Sequence, residues 1–327
     1  MRLLKFIFVL AVLVAAAWAF FFVLPYGPSS EVFVDIAPGT GTLGIGKQLK
    51  DAGVLRGSFE LEALKLSRRG TLKAGEYRFN HAATAEEVYD RLRRGDVYTV
   101  SLVIPEGYNI FDIAAAVQAA GLGSGARFLA AERSYTELIA VWSPHATSLE
   151  GFLFPDTYKF SRHATPVQML MAMVKRFGQM ADKLGVSPAD AERTVTMASL
   201  VEREVHVDAE RPVVAGVFEN RLRAGMPLQT DPAVIYASLL NGTWTGSIHE
   251  SELHSDSPYN TYTHAGLPPG PICDPGVAAL KAALHPAETD YMYFVANPDG
   301  STRFARELAE HEANVAAYRT GTQTKPR

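Results

Sequence analysis

The sequence of 327 residues contains a single cysteine, Cys273. One thiol excludes an intramolecular disulfide, and it also excludes a zinc site built from several cysteines. Cys273 lies in the turn-rich segment PPGPICDPG, so we interpret it as a small, semi-buried side chain rather than a nucleophile. Because no covalent crosslink is available, the fold has to depend on its hydrophobic core.

The sequence also lacks a basic surplus, since 31 Lys and Arg residues face 35 Asp and Glu residues. Proteins that bind the phosphate backbone of nucleic acids usually carry such a surplus, so nucleic acid is not an expected partner. The pair His311-Glu312 begins like a zinc-peptidase motif, but Val315 occupies the position of the second histidine. We therefore predict no metal and no other cofactor.

One long apolar run is present near the N-terminus, where residues 6–24 are all apolar. A helix of this length spans about 28 Å, which matches the hydrocarbon core of a bilayer. Arg2 and Lys5 precede the run, and acidic residues follow it. The positive-inside rule then predicts residues 1–5 in the cytoplasm, a single transmembrane helix in the cell's inner membrane, and an extracytoplasmic remainder.

A cleaved signal peptide is the alternative interpretation of this run. The small residues Ala15, Ala16, Ala17 and Ala19 resemble a cleavage site. Cleavage there would leave residues 20–24 as an exposed apolar end, and the run exceeds the apolar part of a usual signal peptide. We therefore favour an uncleaved anchor.

After a short linker at residues 25–31, the pattern predicts an α+β fold. A strand from Val32 leads through a Pro-Gly turn into a helix, and LKAGEYRF alternates like a second strand. Thr84 and Glu87 have the spacing of a capping box for the next helix. The segment from Val100 repeats the strand–turn–helix outline, with Asn109 and Asp112 at the spacing of another capping box.

The second half of the chain is predicted to be mainly helical. Helical periodicity and capping signals predict five helices and a helical tail, covering 166–184, 187–205, 210–223, 231–241, a segment from residue 274, and 306–319. We interpret Asp231 and Asp274, each followed by proline, as helix N-caps. Residues 291–296 and 302–305 are predicted as a pair of strands.

The helix at 187–205 carries the candidate for catalysis. Met197, Leu200, Val201 and Glu204 fall on one stripe at the spacing i, i+3, i+4, i+7, so Glu204 continues an apolar face. A carboxyl group held among apolar side chains is poorly solvated as an anion, and its pKa should rise toward the range of a general acid. The alternative is a structural carboxylate at a helix end, paired with Arg211 or Arg221.

Polar and aromatic residues that suit a sugar groove follow this helix. Amides and hydroxyls hydrogen-bond to sugar hydroxyl groups, while aromatic rings cover the apolar faces of sugars. We predict as substrate-binding residues Asn220, Gln229, Asp231, Tyr236, Asn260, Thr261 and Tyr262. The alternative for two of them is structural, with Asp231 only capping a helix and Tyr236 only packing.

Several long segments occur in an order that resembles the MltG (YceG-like) family of endolytic murein transglycosylases. The resemblance rests on LEGFLFPDTY, MASLVEREV, FENRLRAGMPLQTDPAVIYA, SPYNTYTHAGLPPGPICDPG and KAALHPAETDYMYFVANPDGSTRFA. It implies a LysM-like module at 32–98, a transglycosylase domain at 99–320 and a tail at 321–327. One departure is His264-Ala265 in the YNTY loop.

The resemblance also implies the chemistry. The family's catalytic glutamate falls on Glu204, and Glu202 matches a second, less critical glutamate that we include among the substrate-binding residues. Cleavage of peptidoglycan strands between N-acetylmuramic acid and N-acetylglucosamine would leave 1,6-anhydro ends. The family is thought to terminate strand elongation beside peptidoglycan synthases.

Two alternative functions remain open from the sequence. One is a peptidoglycan-binding scaffold without catalysis, although the intact ASLVERE segment argues against it. The other is a hydrolytic muramidase, which would need a second carboxylate such as Glu202 or Asp231.

Overall fold

A computed structural model describes residues 2–68, 70–205, 207–297 and 300–323, with side chains described up to residue 319. The chain forms two compact units, unit 1 from Met1 to Val100 and unit 2 from Ser101 to Arg327. The predicted tail at 321–327 lies mostly outside the described residues. Both units mix helices with short two-stranded sheets, which confirms the predicted combination of helices and strands.

The N-terminal apolar run is helical. The α-helix α1, Arg2–Trp18, continues into one π-helical turn, Ala19–Val23. The helix from Arg2 to Val23 contains an 18-residue window with a mean hydropathy of 2.8, and none of that window is buried. Among the described residues it is the one helix long and apolar enough to cross a membrane.

Unit 1 is built on an antiparallel pair of strands, β1 (Val32–Ile36) and β2 (Gly75–Phe79). Three helices pack against this pair, namely α2 (Thr42–Asp51), α3 (Glu60–Ser67) and α4 (Ala85–Arg94). Their contact forms one buried hydrophobic core. The helix α3 was not predicted, and the LysM-like character of the unit stays a prediction.

The strand β3 (Val100–Val103), which belongs to unit 2 from Ser101 onward, pairs with β4 (Thr157–Phe160). Between β3 and the last pair of strands, the described residues form eight α-helices, α5 (Ile110–Ala119), α6 (Gly125–Ser134), α7 (Pro166–Leu184), α8 (Ala191–Glu204), α9 (Arg211–Arg223), α10 (Asp231–Leu240), α11 (Glu250–Leu253) and α12 (Val277–Leu284). A 3₁₀ turn covers Thr136–Ile139. The unit ends with the antiparallel strands β5 (Tyr293–Ala296) and β6 (Thr302–Ala305), followed by α13 (Leu308–Gln323).

Local capping signals account for several of the helix ends. The predicted capping boxes at Thr84 and Asn109 are confirmed, because both residues accept the backbone N–H of the third helical residue. The predicted helix 166–184 has the observed limits of α7, where Thr165 forms a further box.

Neither predicted aspartate N-cap is found. The cap of α10 is Thr230, and Asp231 is already the first helical residue. The helix α12 begins only at Val277, three residues after Asp274. The carboxylate of Asp274 is fully buried and accepts a hydrogen bond from the backbone N–H of Leu153 at 2.7 Å. A tertiary contact, absent from any local pattern, therefore replaces the predicted capping role.

The helix α8 lies in the interior of unit 2. It packs against α9, α10 and α12, and Met197, Leu200 and Val201 are buried in the core that these helices share. Ser199 is also buried, and its hydroxyl accepts the backbone N–H of Ile272 at 3.1 Å. The C-terminal end of α8 is thereby held in a defined place.

Candidate active site

A cavity of about 250 Å³ in unit 2 is lined by Glu204, the last residue of α8. The remaining wall residues come from distant parts of the chain and are Arg221, Leu228, Gln229, Asp231, Tyr262, Phe294 and His311. Three of the predicted substrate-binding residues, Gln229, Asp231 and Tyr262, therefore share a cavity with the predicted acid. This combination of carboxyl, amide, phenol and imidazole groups is suited to a polar ligand with several hydroxyl groups.

The Glu204 carboxyl group is poorly solvated. Burial at the end of α8 and, to a lesser extent, the negative charge of Asp231 raise its pKa to about 7. The positive charges of Arg221 and Arg203 act in the opposite direction but are outweighed. At neutral pH the group is therefore present in both protonation states, which suits a residue that first donates and then accepts a proton.

Neither arginine considered as a partner in the structural alternative neutralises Glu204. Arg211 instead forms an ion pair with Glu202, at 2.8 Å. The Arg221 guanidinium donates to the backbone oxygens of Met292 and Leu228, each at 2.7 Å. In the part of the chain that the structure describes, Glu204 forms no ion pair within 4 Å.

Asp231 and Tyr262 form a hydrogen-bonded pair beside Glu204. The phenol of Tyr262 donates to the Asp231 carboxylate at 2.6 Å. Burial and this hydrogen bond raise the pKa of Tyr262, so the phenol stays protonated. Asp231 is therefore an exposed carboxylate on the wall of the cavity, held in orientation by a neutral donor.

Gln229 has an unusual backbone conformation. Its φ of 53° is positive, and it is the one described non-glycine residue with this property. The conformation is held because the backbone N–H of Gln229 donates to the carbonyl of Thr261 at 3.0 Å, and the N–H of Thr230 donates to the Thr261 hydroxyl at 2.9 Å. Such rarely adopted conformations persist where the surroundings impose them, and they are frequent at functional sites.

The other predicted binding residues do not line the cavity. Glu202 is buried against Arg211, and its second oxygen accepts the N–H of Gly276 at 3.0 Å. The Asn220 amide donates to the backbone oxygens of Thr289 and Tyr291, each at 2.8 Å. These side chains hold together segments that are far apart in the sequence.

Three further predicted binding residues, Asn260, Thr261 and Tyr236, also do not line this cavity. Asn260 is fully buried, and its amide donates to the backbone oxygens of residues 252, 253 and 255. Thr261 is buried and supports the Gln229 turn, as described above. Tyr236 is buried between the rings of Phe111 and Tyr259. Their contacts are with protein groups, so we assign them positions in the scaffold around the cavity.

A second carboxyl group with a raised pKa lies in another cavity of unit 2. Burial raises the pKa of Glu150 to about 8, and the residue lines a space of about 280 Å³ together with Tyr259. However, Glu150 is only 3% exposed, and it accepts the first backbone N–H of α5, that of Ile110, at 3.0 Å. This carboxyl group stabilises the start of a helix, whereas Glu204 faces an open cavity.

Four residues of the cavity wall were not predicted as site residues from the sequence, namely Arg221, Leu228, Phe294 and His311. His311 attracted attention only through the zinc-peptidase pattern, which it does not complete. Its ring stacks on Tyr293 at 5.3 Å, and burial together with Arg221 lowers its pKa. It reaches the cavity from α13, more than a hundred residues after Glu204, and no local pattern indicates such a contact.

A model of the YceG-like family matches residues 34–317. An endolytic murein transglycosylase of Bacillus subtilis is 31% identical over 309 residues, which cover 88% of this chain and 85% of that relative. An endolytic murein transglycosylase of Streptococcus pneumoniae is 30% identical over 90% of this chain, which spans 60% of the longer relative.

A solved structure is similar as well. The 2.6 Å crystal structure of a yceG-like protein from Listeria monocytogenes is 31% identical, with a TM-score of 0.58. The similarity covers 88% of this chain and all of that chain. The match of a family model to most of the chain, together with these relatives, shows that the protein belongs to the YceG-like family.

Proposed function

We propose that this protein is an endolytic lytic transglycosylase that cleaves peptidoglycan strands, with Glu204 as the catalytic residue. The observation that carries the proposal is the Glu204 carboxyl group, with its pKa raised to about 7, on the wall of a polar cavity. The names of the two curated relatives support the reaction class. The substrate would be the bond between N-acetylmuramic acid and N-acetylglucosamine.

The reaction needs one carboxyl group that acts twice. Protonated Glu204 donates its proton to the glycosidic oxygen, and the bond between that oxygen and C1 of the muramic acid breaks with its electron pair on the leaving oxygen. An oxocarbenium-like centre remains at C1. The Glu204 carboxylate then takes the proton of the C6 hydroxyl in the same sugar, and the C6 oxygen bonds to C1. The product is a 1,6-anhydro end, Glu204 is protonated again, and no water is consumed.

The other wall residues would bind and orient the glycan. Gln229 and Asp231 offer amide and carboxylate groups to sugar hydroxyls, and Phe294 offers an apolar ring. Asp231 also helps to keep Glu204 protonated through its negative charge. These roles follow from the position of each side chain on the cavity wall.

A hydrolytic muramidase is the second candidate, because Asp231 places a second carboxylate in the same cavity as Glu204. In that reaction Asp231 would activate a water molecule or stabilise the oxocarbenium-like centre. Glu202, the other carboxylate considered for this role, is held in its buried ion pair with Arg211. The two reactions differ in whether water is added to the product.

Product analysis separates these functions. Purified protein is incubated with isolated murein, and the fragments are analysed by mass spectrometry. Lytic cleavage yields fragments lighter by one water molecule than the hydrolysis products, whereas a muramidase yields reducing ends. If the wild-type protein leaves the murein uncut, the scaffold alternative replaces both.

The variant Glu204→Gln tests the assignment of the acid. Loss of general acid and base catalysis is expected to lower the rate by roughly 100-fold or more, without loss of the fold. Glu250→Gln, at an exposed position of α11, is the matched control and should cut murein at the wild-type rate. Wild-type activity in Glu204→Gln would remove Glu204 from the mechanism.

We further propose that residues 6–24 anchor the protein in the cell's inner membrane, with residues 1–5 in the cytoplasm. The long apolar helix and the preceding Arg2 and Lys5 support this topology. A LysM-like module at residues 32–98 would bind glycan, and the domain at 99–320 would cut it. Tethering on the outer face would bring the enzyme to newly made strands, where it would terminate elongation beside the peptidoglycan synthases.

A further inference from the structure

The last turn of the apolar helix is part of the folded core of unit 1. This turn, Ala19–Val23, packs against α4, and Phe22 contacts the hydrophobic core of the unit. The ring of Phe59, just before α3, lies 5.0 Å from the ring of Phe21 and 6.4 Å from that of Phe22. The helix and the unit therefore meet through side-chain packing.

Arg56 fastens the same junction through polar contacts. Its guanidinium donates to the backbone oxygen of Leu24 at 2.8 Å and to that of Pro25 at 3.2 Å. It also lies 4.6 Å from the ring centres of both Phe20 and Tyr26. The contact with Leu24, the C-cap residue, satisfies a carbonyl group that the end of the helix leaves without an intrahelical partner.

The chain that leaves the helix is held as well. Tyr26 and Ala83 exchange two backbone hydrogen bonds, at 2.9 and 3.0 Å. At Gly27, an added Cβ would lie 2.9 Å from backbone atoms of His81 and Ala82, so the two segments are in close contact. The first part of the predicted linker at 25–31 is thus bound to unit 1.

From these contacts we infer that unit 1 rests on the lipid surface, with the Phe59 ring in the membrane interface and Arg56 at the level of the lipid phosphates. The inference depends on the proposed membrane anchor. Phe59 touches Phe21, which belongs to the apolar span itself, and the Phe59 side chain is still 46% exposed. Because the junction is packed and hydrogen-bonded, the depth of the helix determines the depth of Phe59.

Lipid is the partner that this surface fits. The exposed ring continues the apolar surface of a helix that is exposed from Arg2 to Trp18 and has no fully buried residue in its apolar window. Aromatic rings are enriched at membrane interfaces, and an arginine beside them interacts favourably with anionic headgroups. A rigid attachment at the membrane surface would hold the glycan-binding module at a defined height above the bilayer.

Site-directed spin labelling of the full chain tests this arrangement. The protein is reconstituted in vesicles of phosphatidylethanolamine and phosphatidylglycerol, and labels are attached to Trp18→Cys, Phe59→Cys and Asp96→Cys in separate samples. The native thiol of Cys273 is buried and should not react in the folded protein. Accessibility to oxygen and to a polar nickel complex reports the depth of each label.

We expect the label at position 18 to lie in the hydrocarbon core, the label at position 59 in the membrane interface and the label at position 96 in water. Asp96 is the matched control. It follows the C-terminal end of α4, about 15 Å along that helix from Ala83, the residue that pairs with Tyr26. A label at position 59 that is as exposed to the nickel complex as one at position 96 would overturn the inference. If position 18 is also in water, the anchor proposal fails together with it.

A second variant retains an aromatic ring at the junction. In a Trp18→Phe background, Phe59→Trp adds a fluorophore that lipids brominated near the headgroup should quench. We expect the quenched fraction of the emission to rise when this tryptophan is introduced. An added emission that brominated lipids leave unchanged would contradict contact between Phe59 and lipid, even if labelling at position 59 had loosened the junction.

Discussion

Asp231 influences the cavity through its charge as well as through its position. The negative charge of its carboxylate adds to the effect of burial and raises the pKa of Glu204. It is oriented by the phenol of Tyr262. A carboxylate in this place keeps its neighbour protonated at a pH where an isolated glutamate would be ionised.

The variant Asp231→Asn should therefore shift the pH profile of cleavage. Removal of the negative charge lowers the pKa of Glu204 from about 7 toward its ordinary value, so the alkaline limb of the rate profile moves to lower pH. Rates at neutral pH fall, while rates at acidic pH are retained. Initial rates of murein cleavage, measured across a range of pH, give the pH midpoint of the alkaline limb.

Asp182→Asn serves as the control, since Asp182 is exposed near the end of α7. Its profile should coincide with that of the wild type. Loss of cleavage by Asp231→Asn at every pH would instead indicate that the carboxylate itself is required, either to bind the glycan or to act on water as the muramidase candidate requires. An unshifted profile would show that the charge of Asp231 does not influence Glu204.

At the scale of elements, the cavity depends on how the turn before α10 is joined to the loop after α11. Thr261 makes this connection, because its carbonyl accepts the N–H of Gln229 and its hydroxyl accepts the N–H of Thr230. The hydroxyl contacts of Thr261, all of them with Thr230, are buried. The turn thereby keeps Gln229 and Asp231 on the cavity wall.

The variant Thr261→Val should destabilise this junction. It leaves the buried N–H of Thr230 without its acceptor, which costs about 1–3 kcal/mol of unfolding free energy. Chemical denaturation measures the loss, and cleavage should fall in parallel because the wall residues lose their support. Thr261→Ser keeps the hydroxyl group and should retain most of the stability and activity. Equal behaviour of the two variants would contradict the role assigned to the hydroxyl.

At the scale of the whole molecule, unit 2 buries carboxyl groups that have no role in the proposed reaction. Glu150 and Asp274 are 3% and 0% exposed. Burial raises the pKa of Glu150 to about 8 and that of Asp274 well above its usual range. Both groups are therefore most compatible with the folded state when they are protonated.

The stability of unit 2 should accordingly depend on pH. A pKa that is raised in the folded state contributes stability below the unfolded value of 4.5, and this contribution is lost as pH rises through about 8. We expect the thermal unfolding temperature of the protein to fall between pH 5 and pH 8.5. Glu150→Gln, a neutral side chain of similar shape, should reduce this slope. A flat profile for the wild type would show that these carboxyl groups are ionised without cost.

Several features could be predicted from the sequence because they depend on neighbours within a few residues. Helical periodicity placed Glu204 on the apolar face of α8, and the capping boxes at Thr84 and Asn109 follow from spacing alone. The N-terminal apolar helix follows from composition. In each case the physical cause is local: it is a helix face, an unsatisfied N–H group or a continuous apolar surface.

Only the tertiary structure decided which polar residues surround Glu204. Asn260 and Tyr236 have the chemistry of a sugar site, yet Asn260 is buried with its amide bonded to backbone oxygens, and Tyr236 is buried against the rings of Phe111 and Tyr259. His311 enters the cavity from a helix far along the chain. The reason is physical, since hydrogen-bonding capacity is a property of a residue type, whereas its partner is determined by the packing of elements distant in sequence.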